Sequence, residues 1–112
     1  GEINEYAKYA HLAPVCILVC GNLEYDKNGG YWIEDVSAAT QNILLAAHAM
    51  GLGAVWTGIY PLEDRIKGFR ALIGAPEHVA PMALVVVGHP KKTPEPEDRF
   101  RPDRVHTERW AG

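Results

Sequence analysis

Residues Asp35–Pro61 read DVSAATQNILLAAHAMGLGAVWTGIYP, and this stretch decides most of the fold. From about Trp32 to Met50 the spacing predicts a helix. Val36, Ala39, Ile43, Ala46, Ala47 and Met50 keep the 3, 4, 7 interval of a core-facing stripe. Ala38, Leu45 and Ala49 widen that apolar surface well beyond one stripe. Ser37, Gln41 and His48 form a narrow polar line, with Asn42 nearly opposite. Asp35 falls in the first turn, where a carboxylate favours the helix dipole, and Gly51 and Gly53 are expected to end the helix in a left-handed cap. A helix this apolar needs cover on several sides. A chain of 112 residues can hardly supply all of it, so a second copy is expected against this helix. The small Ala and Ser side chains would let two such helices approach closely.

The segment just past the helix is as informative. Ala54–Trp56 are expected to form a short strand or extended link that opens into a turn at Thr57, Gly58 and Ile59. Bare backbone N–H groups presented there suit a flat, polar-edged cofactor, and glycine permits close approach of the backbone to a ligand. The glycines of 51–58 are not a dinucleotide fingerprint, because they come after a helix and before a strand. From the residues alone, a helix cap plus a tight turn is the favoured account of them. Pro61 is expected at the first helical position of the segment LEDRIKGFRAL.

Working outward, Val15–Cys20 are continuously apolar and β-branched, which predicts a strand covered on both faces. Met82–Val87 have the same look of a central strand. Between them lie a polar loop over 21–30 with an Asn-Gly-Gly turn signal and a turn at GAPEH (74–78). Residues 2–10 are expected to be helical, broken by 11–14. The segment 89–112 holds four of the eight prolines and charges of both signs. It reads as an extended arm, pinned by the apolar residues Val105 and Trp110 against a neighbouring subunit. The whole of 1–112 is expected to be a single domain, and Gly1 in place of Met fits either an added residue before a native start or a front that has been removed.

Composition narrows the classes of function. A hydrophobic fraction of 47% with 22% charged residues is that of a folded domain, large enough for one core. The formal net charge of -3 gives no reason to expect nucleic acid. No apolar run approaches the roughly 20 residues of a membrane span, and no signal peptide is visible. Cys16 and Cys20, if on one strand face, lie about 13 Å apart. A disulfide needs Cα atoms within about 7 Å, so both read as small buried hydrophobes of a reducing, cytoplasmic protein.

Few side chains invite chemistry. The five histidines show no metal-ligand spacing, and no cysteine lies near enough in sequence to complete a zinc pattern. His48 reads as an interface histidine and Trp56 as a core aromatic. Ser37 and Thr40 lack a nucleophile-elbow context. Arg99 and Arg101 bracket Phe100, and in an extended segment two guanidinium forks on one side suit a phosphate. From the residues alone a solvated, zwitterionic tail is the favoured reading, since Glu95, Glu97 and Asp98 stand close by. No catalytic side chain is evident, so a bound cofactor is expected to carry any chemistry.

The segment DVSAATQNILLAAHAMGLGAVWTG resembles the central part of the nitroreductase family of flavin enzymes. The aspartate, the Gln-Asn pair, the small-residue run and Gly-Leu-Gly before Trp are the specific elements. APVCILVCG upstream, and VVVGHP and RVHTERW downstream, are also similar, so the likeness runs from about residue 10 to 110. It implies an α+β fold with a mostly antiparallel sheet flanked by helices, and a long buried central helix at a homodimer interface. It also implies FMN bound between subunits, NADH or NADPH as donor, and nitroaromatics, quinones or related small acceptors. By position, Thr57, Gly58 and Ile59 resemble the turn whose backbone meets the flavin ring edge, and Arg99 and Arg101 the basic residues that hold the FMN phosphate. The family's opening Arg-Ser-x-Arg segment is not found in this sequence. The resemblance is therefore to a C-terminal portion, and a catalytically silent flavin-binding or dimerisation module is the alternative.

Overall fold

The computed structural model describes residues 13–26 and 29–110, and within them the chain forms three strands and two α-helices. The order is β1 (Val15–Asn22), α1 (Trp32–Ala49), β2 (Gly53–Gly58), α2 (Glu63–Ile73) and β3 (Val79–Gly88). The helix expected over 2–10 lies outside the described residues. β3 occupies the middle of the sheet and pairs antiparallel with both neighbours, in the order β1-β3-β2. The α+β class with an antiparallel sheet is the expected one.

Composition suits β3 to its central place. Ala80, Met82, Ala83, Val85 and Val86 are all buried, and two partners take the hydrogen bonds of its backbone. β1 looks similar in sequence yet behaves differently. It is an edge strand of this sheet, and Val15 and Ile17 are exposed, so the expectation of cover on both faces fails within the chain. An apolar run records the need for cover without saying where the cover comes from. β2 is longer than expected, taking in Gly53, Thr57 and Gly58.

The core cluster is Ile59, Ile66 and Phe69, with Leu18 and Leu84 packed against it. α2 supplies two of its members, Ile66 and Phe69, three residues apart and so on one helical face. Leu62 is the N-cap of α2, and Pro61 stands before it rather than at the first helical position. Gly74 closes α2 in the left-handed region at φ 67°, where a side chain would be strained.

α1 packs against all three strands. Its inward face is centred on Thr40 and Ala47, flanked by the half-buried Ile33, Val36, Ser37, Ile43 and Leu44. The expected stripe is thus rotated: Val36, Ile43 and Ala47 point inward, whereas Ala39, Ala46 and Met50 are exposed. Thr40 explains part of the shift. Its hydroxyl donates to the Val36 carbonyl at 2.8 Å, so a polar residue can be fully buried at no hydrogen-bond cost. Gly51, at φ 78°, ends the helix as expected, but Gly53 belongs to β2. Leu45 and Met50 stay 58% and 74% exposed, so the chain leaves an apolar helical surface uncovered.

Candidate functional site

The Thr57–Ile59 segment leaves the sheet at the end of β2. Ile59 is completely buried against Ile66 and Phe69, and its N–H donates to the Met82 carbonyl at 3.1 Å. The Tyr60 N–H donates to the same carbonyl at 3.2 Å. The Thr57 hydroxyl donates to the Leu84 carbonyl at 2.6 Å, which satisfies a nearly buried side chain. In an antiparallel ladder, backbone groups face the partner strand at alternate residues. Because Ile59 faces β3, the polar groups of Gly58 face away, off the outer edge of the sheet. Arg65, half-buried on α2, approaches from that side, and its Nη1 donates to the Gly58 carbonyl at 3.0 Å.

An aromatic pair supports the same turn. Trp32 and Tyr60 meet edge-to-face with ring centroids 4.9 Å apart. Trp32 in turn lies over Gly21, where a Cβ would stand only 2.4 Å from its Cε3. Gly21 therefore has to be glycine for the indole to reach Tyr60 in this arrangement. Gly58 presents the opposite case: among the described residues, nothing lies within 4 Å of where its Cβ would be. The residue is exposed and has no side chain to hold a neighbouring group away from its backbone. A ring edge needs a rigidly held surface, and this turn, tied to Met82, Leu84 and the core, fits the flavin ring implied by the resemblance in that respect.

The two arginines are placed differently. Arg99 lines an open cleft of about 730 Å³ with His48, Gly51, Leu52, Gly53 and Pro90. Its Nη2 lies 3.4 Å from Glu97 Oε2, and both side chains are largely exposed. Arg101 makes a two-pronged pair with Asp103, with both N–O distances 3.1 Å. The cleft also meets the C-terminal end of α1, where the helix dipole disfavours an anion. As arranged here, the phosphate grip is not formed; it requires the guanidinium groups to exchange their carboxylate partners. Gly53 and Gly58 stand at opposite ends of β2, about 16 Å apart at the usual strand rise. The structure therefore does not gather the arginine cleft and the Thr57–Ile59 turn into one pocket within the chain.

Arg65, Trp32, Tyr60 and Gly21 carry the geometry of the turn, but no sequence motif singles them out. Arg65 offers a faint signal, lying seven residues past Gly58 at the start of the next helix. Trp32 and Gly21 offer none, since their contact joins separate elements. Cys16 and Cys20 are not joined in a disulfide, and burial pushes the Cys20 thiol up. Among the described residues, no group of three or more His, Cys, Asp or Glu gathers as a metal site would require.

Comparison with known proteins places these features in context. The family described as "Nitroreductase family" matches residues 4–89. A candidate NADH dehydrogenase/NAD(P)H nitroreductase of Methanothermobacter thermautotrophicus is 50% identical over 109 residues, which is 97% of this chain and 57% of that protein. An NADPH-flavin oxidoreductase of Vibrio harveyi is 38% identical over 66 residues, 59% of this chain and 27% of that protein. The crystal structure of a candidate NADH dehydrogenase/NAD(P)H nitroreductase from Parabacteroides distasonis superposes with a TM-score of 0.90 at 38% identity, covering 97% of this chain and 64% of that one. The chain thus spans a little over half the length of the curated relative it matches over nearly its whole extent.

Proposed function

The chain belongs to the nitroreductase family, and on that premise we propose that it serves an FMN-dependent oxidoreductase. The donor is NADH or NADPH, and the acceptors are nitroaromatics, quinones or related small molecules. When bound, FMN supplies the capacity to take electrons from the nicotinamide and release them to the acceptor; the protein supplies position and field. One observation carries the reading. Gly58 ends a strand with no side chain of its own, while its neighbour Ile59 is locked into the core and onto Met82.

On this reading Thr57, Gly58 and Ile59 have unequal duties. Ile59 anchors the turn, Thr57 fixes the strand end through Leu84, and Gly58 presents the backbone surface that meets the ring edge. Arg99 and Arg101 bind the phosphate after leaving Glu97 and Asp103. The separation of cleft and turn along β2 supports a site built from two copies, each giving one part. The exposed apolar side of α1 supports the same homodimer, with the arm 89–110 laid along the partner. A reducing, cytoplasmic place suits two cysteines that are not joined in a disulfide. No described helix is long and apolar enough to cross a membrane.

The test is a visible spectrum of the purified full-length protein, then NADH and NADPH oxidation with a quinone acceptor. A yellow protein with quinone-dependent turnover meets the expectation. A colourless protein that takes up no added FMN defeats it. The pairing of both arginines with carboxylates favours a second reading, a catalytically silent flavin-binding or dimerisation module. Flavin uptake without turnover would select that one.

A further inference from the structure

We infer that Lys92 and His48 join Arg99 in holding the FMN phosphate, and that the imidazole makes this grip tighten as pH falls. The inference rests on the proposed binding of that phosphate in the cleft at the C-terminal end of α1. Among the described residues, the charged and titratable side chains lining the cleft come from two elements. His48 belongs to the last turn of α1, and Lys92, Glu95, Glu97 and Arg99 belong to the arm. The arm is seated there at its start: a Cβ on Gly53, at the head of β2, would stand 3.5 Å from the Cβ of Pro90.

Charge decides what such a cleft accepts. Arg99 stands 3.4 Å from Glu97, and Arg101 is gripped by both oxygens of Asp103. Lys92 is in no ion pair among the described residues, so it leaves no carboxylate behind when it meets a phosphate. Its ammonium is a point charge on a flexible stem, which suits a tetrahedral anion approached from any side. Yet the two cations of the cleft are matched by two carboxylates, and the end of α1 adds a partial negative charge. With a neutral imidazole the cleft therefore carries no net charge to attract an anion. Protonation of His48 changes the sign. It sets a full positive charge in the last turn of α1, where it offsets the helix dipole, and it makes both ring nitrogens donors.

Histidine is the side chain whose ordinary titration falls between about pH 5 and 8, so a grip that uses one is tuned near neutrality. The phosphate titrates as well, since its second proton leaves at about pH 6. That change is common to every form of the protein, so comparing variants isolates the histidine.

The experiment uses the full-length protein and follows FMN affinity by flavin fluorescence at about pH 6 and about pH 8, on either side of the ordinary imidazole range. Riboflavin, which lacks the phosphate, is the control ligand. His48→Gln removes the titrating charge. It is expected to weaken FMN binding about tenfold at the lower pH, the scale of a lost charge-assisted bond, and less than about twofold at the higher. Lys92→Gln is expected to weaken it about tenfold at both. Riboflavin affinity should move in neither variant. A His48→Gln protein whose FMN affinity falls equally at both pH values, or at neither, overturns the role of the histidine. FMN affinity left unchanged by Lys92→Gln, or riboflavin losses as large as those for FMN, overturns the assignment to the phosphate. If wild-type protein binds no FMN, the proposed function and this inference fall together, an outcome distinct from FMN binding that is alike in wild type and variants.

Discussion

The Thr57–Pro61 turn and the arm over 89–110 are the two regions that the resemblance assigns to one cofactor, and they are built in opposite ways. The turn is tied to the rest of the chain at every residue from Thr57 to Tyr60: a hydroxyl on Leu84, a guanidinium on Gly58, a buried side chain and two N–H groups on Met82. The arm is exposed throughout apart from the half-buried His106, and Trp110 is 81% accessible despite stacking on that histidine. Arg99 and Arg101 pair with carboxylates two residues away rather than with distant elements. On the proposed reading, the ring edge would meet a part of the chain that is already fixed. A phosphate tolerates a looser grip, because two mobile charges can close on it once it is present.

The contrast predicts unequal responses to mutation. Ile59→Ala should cost about 2–5 kcal/mol, the usual penalty for truncating a buried aliphatic side chain, seen as a lower urea midpoint. A cost below about 1 kcal/mol would mean that the core does not anchor the turn. Replacing both Arg99 and Arg101 by Ala should leave that midpoint nearly unchanged, since exposed ion pairs contribute about 0–1 kcal/mol. The same double variant of the full-length protein should weaken FMN binding by about 1.5–3 kcal/mol, the scale of a lost charge-assisted bond. Unaltered FMN affinity there would remove the arm from the cofactor site.

Gly21→Ala is expected to cost about 1–3 kcal/mol through the forced displacement of Trp32. Its near-ultraviolet circular dichroism should change with it; an intact tryptophan signature would show that the ring has another seat. Phe100→Ala, in the arm, should stay within about 0.5 kcal/mol if the arm rests on nothing. A larger, concentration-dependent loss would instead show Phe100 packed on a partner.

The smallest effect concerns Cys20. Its thiol is pushed above the ordinary value by burial, so the folded chain holds that proton to higher pH than the unfolded chain does. Where the unfolded state binds fewer protons, stability falls as pH rises. The loss should set in above the ordinary thiol range, about pH 8.5, and Cys20→Ala should show less of it. Urea titrations at neutral and alkaline pH, compared between the two proteins, measure the difference. Equal slopes would refute a thiol shifted by its partial burial.

Much of the architecture is legible in the sequence because it depends on local chemistry. Periodicity, Asp35 and Gly51 bound α1, and an unbroken apolar run marks β3. Periodicity alone turns Ala39, Ala46 and Met50 inward, whereas a threonine able to bond its own helix displaces them. Composition likewise suggests an interior place for β1, since Val15–Cys20 and Met82–Val87 look alike. Which of two such runs takes the middle depends on pairing partners far away in sequence. At the candidate site, the glycine of the turn is visible in the sequence, but the Arg65, Met82 and Trp32 contacts around it are not.

By itself, the sequence determined where helices and strands form, that α1 carries more apolar surface than one short chain hides, and which turn exposes backbone. These are properties of neighbouring residues, fixed by spacing, caps and side-chain type. Only the tertiary structure decided that Gly58 faces outward, that Arg65 reaches it, and that the arginine cleft lies at the far end of β2. Those facts come from strand register and from the packing of α2, which join residues that no local pattern relates.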